Sequence, residues 1–337
     1  MKILAIETSC DETAVAIVEN GRKVLANVIA SQIDLHAKTG GVVPEVAARE
    51  HVLKMLPVLE EALETSSCNW DDIDAIAATK GPGLISSLII GTETANVISC
   101  VKNKPLIPVQ HISGHIYSNW LDVEEEVQFP ILILTVSGGH NELYLMRSHF
   151  DFEVLGETLD DAAGEAFDKV ARILGLGYPG GPAISKIALE GDSKKFNFPK
   201  AWLEKGSLDF SFSGLKTSVL NLVKKDDFNT ADVAASFQEA VVEVLSEKLL
   251  MAYKQYPEVK EVHLAGGVSA NKRLREVITE KFGKFAPAVK FRHPKSMSYC
   301  TDNAAMIAAA AYFKWMKEKG GFSVSNIVPI ASFDILC

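Results

Sequence analysis

The chain has 337 residues, of which 47% are hydrophobic, and its formal net charge is −9. A chain of this length can bury a large core and is expected to divide into two domains. The acidic balance argues against strong nucleic-acid binding by this chain alone, because affinity for phosphate comes mainly from clustered lysine and arginine. A local basic face or partner proteins can still dock a nucleic acid.

Targeting and membrane signals are not expected. The sequence contains no run of about 18 apolar residues, so no membrane span is expected. An acidic side chain occurs too early, within residues 1–7, for a signal peptide. The cysteines form no C-x-x-C pair and are odd in number: Cys10, Cys68, Cys100, Cys300 and Cys337. This pattern indicates reduced thiols rather than a disulfide framework or a zinc ribbon, and it predicts a cytoplasmic protein.

The chain opens with three predicted strands, at residues 3–7, 14–18 and 24–29. The turn at residues 8–13, between the first two strands, is rich in hydroxyls and acids. Serine, threonine and aspartate favour turns in any case. An Asn-Gly dipeptide is enough to connect two strands, as it does at the next turn. We therefore interpret the polar turn as functional.

Residues 40–45 come next, followed by a helical stretch to about residue 64, and Pro57 within it is expected to kink or split the helix. The next strand, at 73–78, ends in the glycine turn Gly81-Pro82-Gly83-Leu84 before another helix. A glycine turn between strand and helix brings backbone N–H groups toward an anion. Such a turn is equally the ordinary connection between the strand and the helix of an α/β unit.

A strand at 106–109 leads into the motif His111-Ile112-Ser113-Gly114-His115. Histidines at i and i+4 project from one face of a helix, so two ring nitrogens can reach a single metal ion. The plainer interpretation is a pair of polar residues at a solvated helix start. A zinc protease of the H-E-x-x-H type is excluded, because Ile112 stands where the catalytic glutamate would be.

After an acidic stretch at 122–126, predicted to be an exposed linker, the opening pattern restarts with strands at 131–136, 143–146 and 152–155. The first turn of this repeat, Ser137-Gly138-Gly139, lacks the lysine of a P-loop and is not G-x-G-x-x-G. Glycines at such a tip still let a phosphate approach backbone N–H groups. The repeated meander predicts an internal duplication of two α/β halves, with a nucleotide in the cleft between them.

The second half continues with predicted helices at 161–174 and about 231–253, a strand at 261–265 and a helix at 269–281. Asn271 comes after a Gly-Gly turn, and taken alone it most simply begins a helix, although its amide is also suited to bond a ribose or base. Asp168 is ordinarily a solvated acid, and only the glycine-rich loop at 175–182 favours a role as a ribose ligand.

A third metal ligand is expected among the carboxylates, and Asp302 stands out at a loop-to-helix junction. Alternatively, Thr301-Asp302-Asn303 simply caps the alanine-rich helix that begins there. Two histidines and one aspartate leave coordination positions open, which suits iron or zinc in a working site. Cys300 is adjacent and is expected to pack.

Ten short segments, spread in order over residues 1 to about 315, form a combination of motifs that is highly specific. They are residues 6–13, 40–45, 81–84, 111–115, 136–140, 161–169, 178–182, 210–216, 266–271 and 300–303. Together they resemble the motifs of the bacterial tRNA N6-adenosine threonylcarbamoyltransferase (TsaD) family. The resemblance implies a duplicated α/β fold of the actin, Hsp70 and sugar-kinase (ASKHA) type, with nucleotide and metal in the interdomain cleft. We expect a first subdomain at 1–128, on which a helix at about 303–318 packs, and a second at 129–302 with a helical insertion at about 157–255.

The resemblance also implies a reaction, in which the threonylcarbamoyl group of threonylcarbamoyl-AMP passes to N6 of the adenosine at position 37 in tRNAs that read codons starting with A. By position, His111, His115 and Asp302 correspond to ligands of one divalent metal, Fe²⁺ or, in preparations, Zn²⁺. The positions that correspond to substrate-adenylate contacts are Thr135, Val136, Ser137, Gly138, Gly139, Asp168, Gly181 and Asn271. Asp11 and Glu12 match acids near the reaction centre, and we expect one of them to accept the proton of the attacking amine.

Members of this family work with a paralogue of the same fold (TsaB) and a small ATPase (TsaE), and a separate synthase makes the donor, so tRNA binding by this acidic chain can be shared. The chain departs from common family residues at Asn96, Ser113 and Asn141, and matches little beyond about residue 321. These departures leave metal affinity and local tRNA contacts open.

Two rival functions remain at this point. An ATP-dependent small-molecule kinase on the same fold would need a catalytic aspartate at the start of the second domain and no metal pair. A non-enzymatic scaffold like the paralogue should have lost His111, His115 and Asp302, and this chain keeps them.

Overall fold

The structure is a computed structural model that describes residues 1–204, 206–224, 228–332 and 335. It forms two compact units, one of Met1–Val127 with Pro294–Cys337 and the other of Gln128–His293. Four cysteines are free, as expected, and Cys337 lies outside the described residues. Within the described ranges, no helix is both long and apolar enough to cross a membrane.

The described residues form ten strands: β1 (Lys2–Glu7), β2 (Glu12–Glu19), β3 (Lys23–Ser31), β4 (Ala75–Gly81), β5 (Leu106–Gln110), β6 (Ile131–Val136), β7 (Asn141–Ser148), β8 (Asp151–Glu157), β9 (Glu261–Ala265) and β10 (Lys290–Arg292). The α-helices are α1 (Ile33–His36), α2 (Pro44–Ser66), α3 (Ile85–Lys102), α4 (His111–Tyr117), α5 (Ala163–Ile173), α6 (Gly180–Ile187), α7 (Ser213–Val223), α8 (Thr230–Gln255), α9 (Lys272–Phe285) and α10 (Ala304–Lys317).

The two sheets repeat one topology. The first has the order β3-β2-β1-β4-β5 and the second the order β8-β7-β6-β9-β10. In each, the first three strands form an antiparallel meander, and the last two run parallel to the meander's first strand. The duplication predicted from the repeated strand pattern is therefore confirmed.

Burial of both faces of the sheet explains why the sequences of the central strands are continuous apolar runs. Every side chain of β6 is buried, which is typical of a strand covered on both faces. On one side of this sheet, Leu132 and Leu134 belong to the same core as Phe167 of α5 and Phe237 of α8, whose rings meet edge to face at 5.2 Å between centroids. The helices α5 to α8 occupy the long connection between β8 and β9.

The alanine-rich helix α10 packs against β1, β2 and α4 in the first unit. Small side chains permit this close approach, and Gly114 of α4 is part of it, because an added Cβ would lie 2.7 Å from Ile307 Cδ1. The first turn of α10 is thereby held beside the histidine helix α4.

The second boundary between the units differs from the expected one. Residues 294–302 belong to the first unit, so the second ends at His293 rather than at residue 302. Side chains beyond β10 are already anchored in the first unit, where the Tyr299 hydroxyl donates to the Asp122 carboxylate at 2.7 Å and Lys295 donates to the Asp122 carbonyl at 2.7 Å. Asp122 is thus an anchor, whereas residues 124–126 of the predicted linker are exposed.

Of the two outcomes expected of Pro57, a kink or a split of its helix, the split does not occur. The helix α2 runs without a break from Pro44 to Ser66 with Pro57 inside it. Tertiary packing outweighs the missing backbone hydrogen bond, since Met55, Val58 and Leu59 around the proline are buried in the core of the first unit.

Candidate functional site

The histidine helix α4 begins directly after β5, and its start is fixed by a cap. The Gln110 side-chain oxygen accepts the Ser113 N–H at 2.7 Å. His111 is the first helical residue and His115 lies one turn later, so both rings project from one face, with centroids 4.7 Å apart. His115 is only 1% exposed, which rules out a solvated helix start.

Asp302 faces these histidines because its neighbour does the capping. Asn303 accepts the Met306 N–H at 3.0 Å and is the N-cap of α10. The carboxylate of Asp302 lies 3.1 Å from His115 Nε2 and 3.5 Å from His111 Nε2. Two imidazole nitrogens and one carboxylate oxygen therefore converge, with one potential ligand atom from each residue within 4.8 Å of the others.

A buried carboxylate that sequence reasoning missed lies behind His111. Glu7 Oε2 is 3.2 Å from His111 Nδ1, and the Ser9 hydroxyl is 3.1 Å from the same nitrogen. Glu7 also accepts the Thr79 hydroxyl and the Ser9 N–H, each at 2.5 Å. A carboxylate on the outer nitrogen of a histidine fixes its tautomer and leaves Nε2 free to bind a metal. The available signal was an acidic residue at the end of an apolar strand.

The electrostatics of this cluster favour a cation. Burial opposes the charge of Asp302, but His111 and His115 outweigh it and hold the pKa of Asp302 at about 2. Burial also opposes protonation of His111, yet Asp302 and Glu7 raise the pKa of His111 to about 9. The donor set, two nitrogens and a carboxylate with a second carboxylate behind them, fits a divalent metal ion.

The two acids of the first turn differ in their surroundings. Asp11 is buried in the turn, and Glu12 begins β2 with its carboxyl accepting the Ser31 hydroxyl at 3.1 Å. Burial, followed by the negative charges of Asp302 and Asp11, raises the pKa of Glu12 to about 10. This rise disfavours the charged carboxylate of Glu12 and makes Glu12 the weaker candidate for the proton acceptor.

The predicted adenylate-binding stretch at 135–139 is divided by the end of β6. Its first two side chains are fully buried in the sheet, so the accessible part begins at Ser137. The Ser137 N–H donates to the His140 carbonyl at 2.8 Å and closes the turn. An added Cβ on Gly138 or Gly139 would meet nothing within 4 Å, so the backbone there is open to a ligand.

Glycine contacts bring other parts of the second unit against this turn. A Cβ on Gly164, in the first turn of α5, would lie 2.4 Å from the Ser137 carbonyl oxygen. A Cβ on Gly266, after β9, would lie 2.4 Å from the Val136 carbonyl oxygen, and its φ of +83° also favours glycine. The start of α5 and the end of β9 therefore reach the same edge of the sheet, outside the carboxyl ends of its strands, where α/β folds commonly bind ligands.

Asp168 lies in α5, and its side chain reaches the start of α6. Its carboxylate accepts the Gly180 N–H at 2.7 Å, and burial raises the pKa of Asp168 while this N–H opposes the rise. A Cβ on Gly180 would lie 2.5 Å from Asp168 Cα, whereas one on Gly181 would meet nothing within 4 Å. The absence of a side chain at Gly180 thus allows α6 to pack closely against α5, whereas Gly181 borders open space.

Asn271 caps α9 and also belongs to a side-chain network. Its oxygen accepts the Leu274 N–H at 3.0 Å. Its amide nitrogen donates to the Ser185 hydroxyl at 3.1 Å and to Gln238 Oε1 at 2.8 Å. Sequence reasoning missed Ser185 and Gln238. Ser185 lies one helical turn from Gly181, but nothing local in the sequence marks Gln238.

The residues that depart from the family pattern have structural roles here. Asn96 binds the tail, donating to the Ile327 carbonyl at 3.2 Å and accepting the Ile327 N–H at 2.8 Å. Asn141 accepts the Ala163 N–H at 3.1 Å and so holds the start of α5. Ser113 is buried within α4.

Comparison with known proteins identifies the relatives of this chain. The family described as "TsaD: tRNA N6-adenosine threonylcarbamoyltransferase" matches residues 23–309. The tRNA N6-adenosine threonylcarbamoyltransferase of Bacillus cereus is 52% identical over 332 residues, which cover 97% of this chain and 95% of that protein. The Bacillus subtilis protein of the same name is 51% identical over 325 residues, 95% of this chain and 92% of that protein.

Solved structures with low sequence identity share the fold. HypF of T. kodakarensis superposes with a TM-score of 0.64 at 15% identity, over 97% of this chain and 49% of that one. Component A of the (R)-2-hydroxyglutaryl-CoA dehydratase of Acidaminococcus fermentans superposes with a TM-score of 0.54 at 15% identity, over 93% and 98%. These likenesses and the duplicated sheets establish the ASKHA-type α/β fold. With its sequence relatives and this fold, the chain belongs to the tRNA N6-adenosine threonylcarbamoyltransferase family.

Proposed function

We propose that this protein transfers the threonylcarbamoyl group of threonylcarbamoyl-AMP to N6 of the adenosine at position 37 in tRNAs that read codons starting with A, and releases AMP. The family match over residues 23–309 and the names of its close relatives support this activity. The observation that carries the proposal is the convergence of His111, His115 and Asp302 in the first unit.

We assign that cluster to one divalent ion, Fe²⁺ with Zn²⁺ as the alternative. Two histidines and one carboxylate with open positions are a donor set typical of non-haem iron sites. When bound, such an ion would polarise or orient the reacting carbonyl. Glu7 supports the assignment, since it holds His111 with Nε2 directed at Asp302.

The reaction requires a proton acceptor and a phosphate site from the chain itself. The adenine amine attacks the carbamoyl carbon, a C–N bond forms, the C–O bond to the AMP phosphate breaks, and AMP leaves with the electron pair. The amine must lose a proton, and we assign it to the Asp11 carboxylate, because burial and the neighbouring acids raise the pKa of Glu12 and disfavour its charged form. Backbone N–H groups of the open turn at Gly138 and Gly139 are suited to bind the phosphate.

The alternative, an ATP-dependent small-molecule kinase, finds no support. It would need an aspartate where the second unit begins, and the turn after β6 reads Ser137-Gly138-Gly139-His140. It would also have no use for the buried histidine pair.

We also propose that tRNA binding is shared with the paralogue TsaB and the ATPase TsaE, and that a separate synthase supplies the donor. The net charge of −9 supports sharing. Exposed apolar side chains suited to a partner helix recur at i, i+4 spacing on α3 and lie together on α2: Ile85, Ile89, Val97, Val101, Val52, Leu53 and Leu56. Val97→Asp with Val101→Asp should abolish co-elution with the paralogue, whereas Leu189→Asp, an exposed apolar position in the second unit, should not.

The activity is tested by nucleoside mass spectrometry. Purified chain, its two partners and a donor-generating synthase are incubated with unmodified tRNA, and each component is omitted in turn. Threonylcarbamoyl-adenosine should form at position 37 only when this chain is present. If the complete mixture leaves that adenosine unmodified, the proposed function is wrong.

A further inference from the structure

Gln238 of α8 is a buried amide that the proposed chemistry does not use. It is 8% exposed, and its Oε1 accepts two hydrogen bonds, from Asn271 Nδ2 at 2.8 Å and from the Ser185 hydroxyl at 2.9 Å. It therefore contacts residues of both α6 and the cap of α9, within the second unit.

The orientation of the Gln238 amide is fixed by the backbone. The Leu274 N–H is a donor only, so the atom of Asn271 that faces it must be the oxygen. The other end of the Asn271 amide is then NH₂, and it must face an acceptor, so the Gln238 atom that it meets is Oε1. This chain of donors and acceptors leaves the Nε2 group of Gln238, with its two hydrogens, directed away from the network.

That Nε2 group is available for a ligand. It makes no hydrogen bond in the described part of the chain, yet it is not among the fully enclosed polar atoms that lack a partner. It therefore reaches accessible space. Gly181, whose Cα borders open space, lies one turn before Ser185 on the same face of α6. An amide held by two hydrogen bonds, with its donor end unpaired, is preorganised to bind an acceptor.

We propose that Gln238 is a further ligand-binding residue whose Nε2–H donates to an acceptor of the nucleoside part of the adenylate, a ring nitrogen of the adenine. The inference rests on the proposed function, which supplies the adenylate. A neutral amide suits a neutral acceptor, whereas the open backbone at Gly138 and Gly139 serves the charged phosphate. Ser185 and Asn271 act on the ligand through Gln238 by fixing the direction of its amide.

The variant Gln238→Glu distinguishes hydrogen bonding of Gln238 to the ligand from a purely structural role in holding Asn271. The variant keeps an oxygen to accept from Asn271 and Ser185 and replaces only the donating NH₂. Gln238→Met removes both functions, and Gln255→Glu makes the same chemical change at the exposed far end of α8. The probes are AMP and adenosine, measured by calorimetry, with the melting temperature of each variant recorded. Adenosine is included because it carries no phosphate for the new carboxylate to repel.

Gln238→Glu should bind both AMP and adenosine about 10-fold more weakly, as expected for a lost hydrogen bond to a buried acceptor, and its melting temperature should stay above that of Gln238→Met because it keeps an oxygen for Asn271 and Ser185. Gln238→Met should weaken binding and also lower the melting temperature, and Gln255→Glu should match wild type. Repeating the titration with 1-deaza-, 3-deaza- and 7-deazaadenosine identifies the acceptor. The penalty of Gln238→Glu disappears with the analogue that lacks the bonded nitrogen.

Wild-type adenosine affinity in Gln238→Glu overturns the inference, including when AMP alone binds more weakly, because only charge repulsion then acts. In that case a wild-type protein that still modifies tRNA leaves the proposed function intact. A wild-type protein that binds neither AMP nor adenosine contradicts the inference and the nucleotide site together. Failure to modify tRNA with normal nucleotide binding contradicts the proposed function instead.

Discussion

The two units share one sheet topology but differ in the turn after the first strand of each sheet. In the first unit, β1 ends in the buried acid Glu7, and the turn after it holds Asp11 and leads to Glu12. In the second unit, β6 ends in Val136, and the turn holds two open glycines and no charge. The same place in the fold thus carries carboxylates in one unit and bare backbone in the other.

This difference indicates a division of chemistry between duplicated halves. The charged turn of the first unit positions a histidine and supplies acids, which suits metal binding and proton transfer. The neutral turn of the second unit offers N–H groups and amides, which suit a phosphate and a nucleoside. A substitution on one side of this comparison should therefore leave the chemistry of the other side unchanged.

The largest effect is expected from removing a side chain of the metal cluster. His115→Ala or the nearly isosteric Asp302→Asn should reduce bound metal to background and tRNA modification by about 1,000-fold or more, because the ion loses a ligand. Metal content is measured by mass spectrometry of the purified protein. AMP affinity, which depends on the second unit, should not change.

His149→Ala is the matched control, since this histidine lies in the second unit outside the cluster. It should retain wild-type metal content and activity. Full metal occupancy in both His115→Ala and Asp302→Asn would contradict the assignment.

The next effect separates the two acids of the first turn. Asp11→Asn should lower turnover by about 100- to 1,000-fold, the usual contribution of a general base, with adenylate binding unchanged. Glu12→Gln should stay within about 3-fold of wild type between pH 6 and 8, because the pKa of Glu12 is raised to about 10 and glutamine mimics its neutral form. Rates are measured under single-turnover conditions. Full turnover in both Asp11→Ala and Glu12→Ala would remove these acids from the mechanism.

A smaller effect is expected when only the orientation of a ligand is disturbed. Glu7→Gln keeps the size of the side chain but not the charge that holds His111, so metal affinity should fall by about 10- to 100-fold. Competition with a chelator measures the change, and Glu19→Gln at the far end of β2 serves as the control. Unchanged metal affinity in Glu7→Gln would show that the histidine is oriented without it.

The smallest effect concerns the neighbouring glycines at the start of α6. Gly181→Ala should leave the melting temperature unchanged and weaken AMP binding a few-fold, because its new methyl group enters open space. Gly180→Ala should instead destabilise the protein by about 1–3 kcal/mol, since its Cβ would lie 2.5 Å from Asp168 Cα. Urea unfolding and calorimetry distinguish the two. Equal effects of both substitutions on stability would contradict this distinction.

The sequence predicted local features well because they depend on local rules. The two strand meanders, the histidine pair on one helical face and the carboxylate candidate Asp302 are all accessible from periodicity, spacing and turn chemistry. The N-cap of α10 was ambiguous in the sequence, since Asp302 and Asn303 are both good N-cap residues. Only packing of α10 against α4 decides that Asn303 caps the helix and that Asp302 faces the histidines.

Features that depend on long-range contacts were not predictable in the same way. Glu7 approaches His111 from a different strand, and Gln238 approaches Asn271 from a different helix. The unit boundary after His293 also depends on contacts, because Tyr299 and α10 are fixed by partners near the start of the chain and at Asp122. Pro57 remained inside α2 because buried neighbours outweigh its local preference.

The most direct test of the account is tRNA modification by the reconstituted system containing either wild-type or His111→Ala protein. Both proteins are first compared for AMP affinity, which should agree, and for melting temperature, which must show that the variant is folded at the assay temperature. Mass spectrometry of the digested tRNA should then show threonylcarbamoyl-adenosine at position 37 with the wild-type protein and none above background with the variant. Equal modification by the two proteins would contradict the claim that the histidine and aspartate cluster of the first unit carries the reaction.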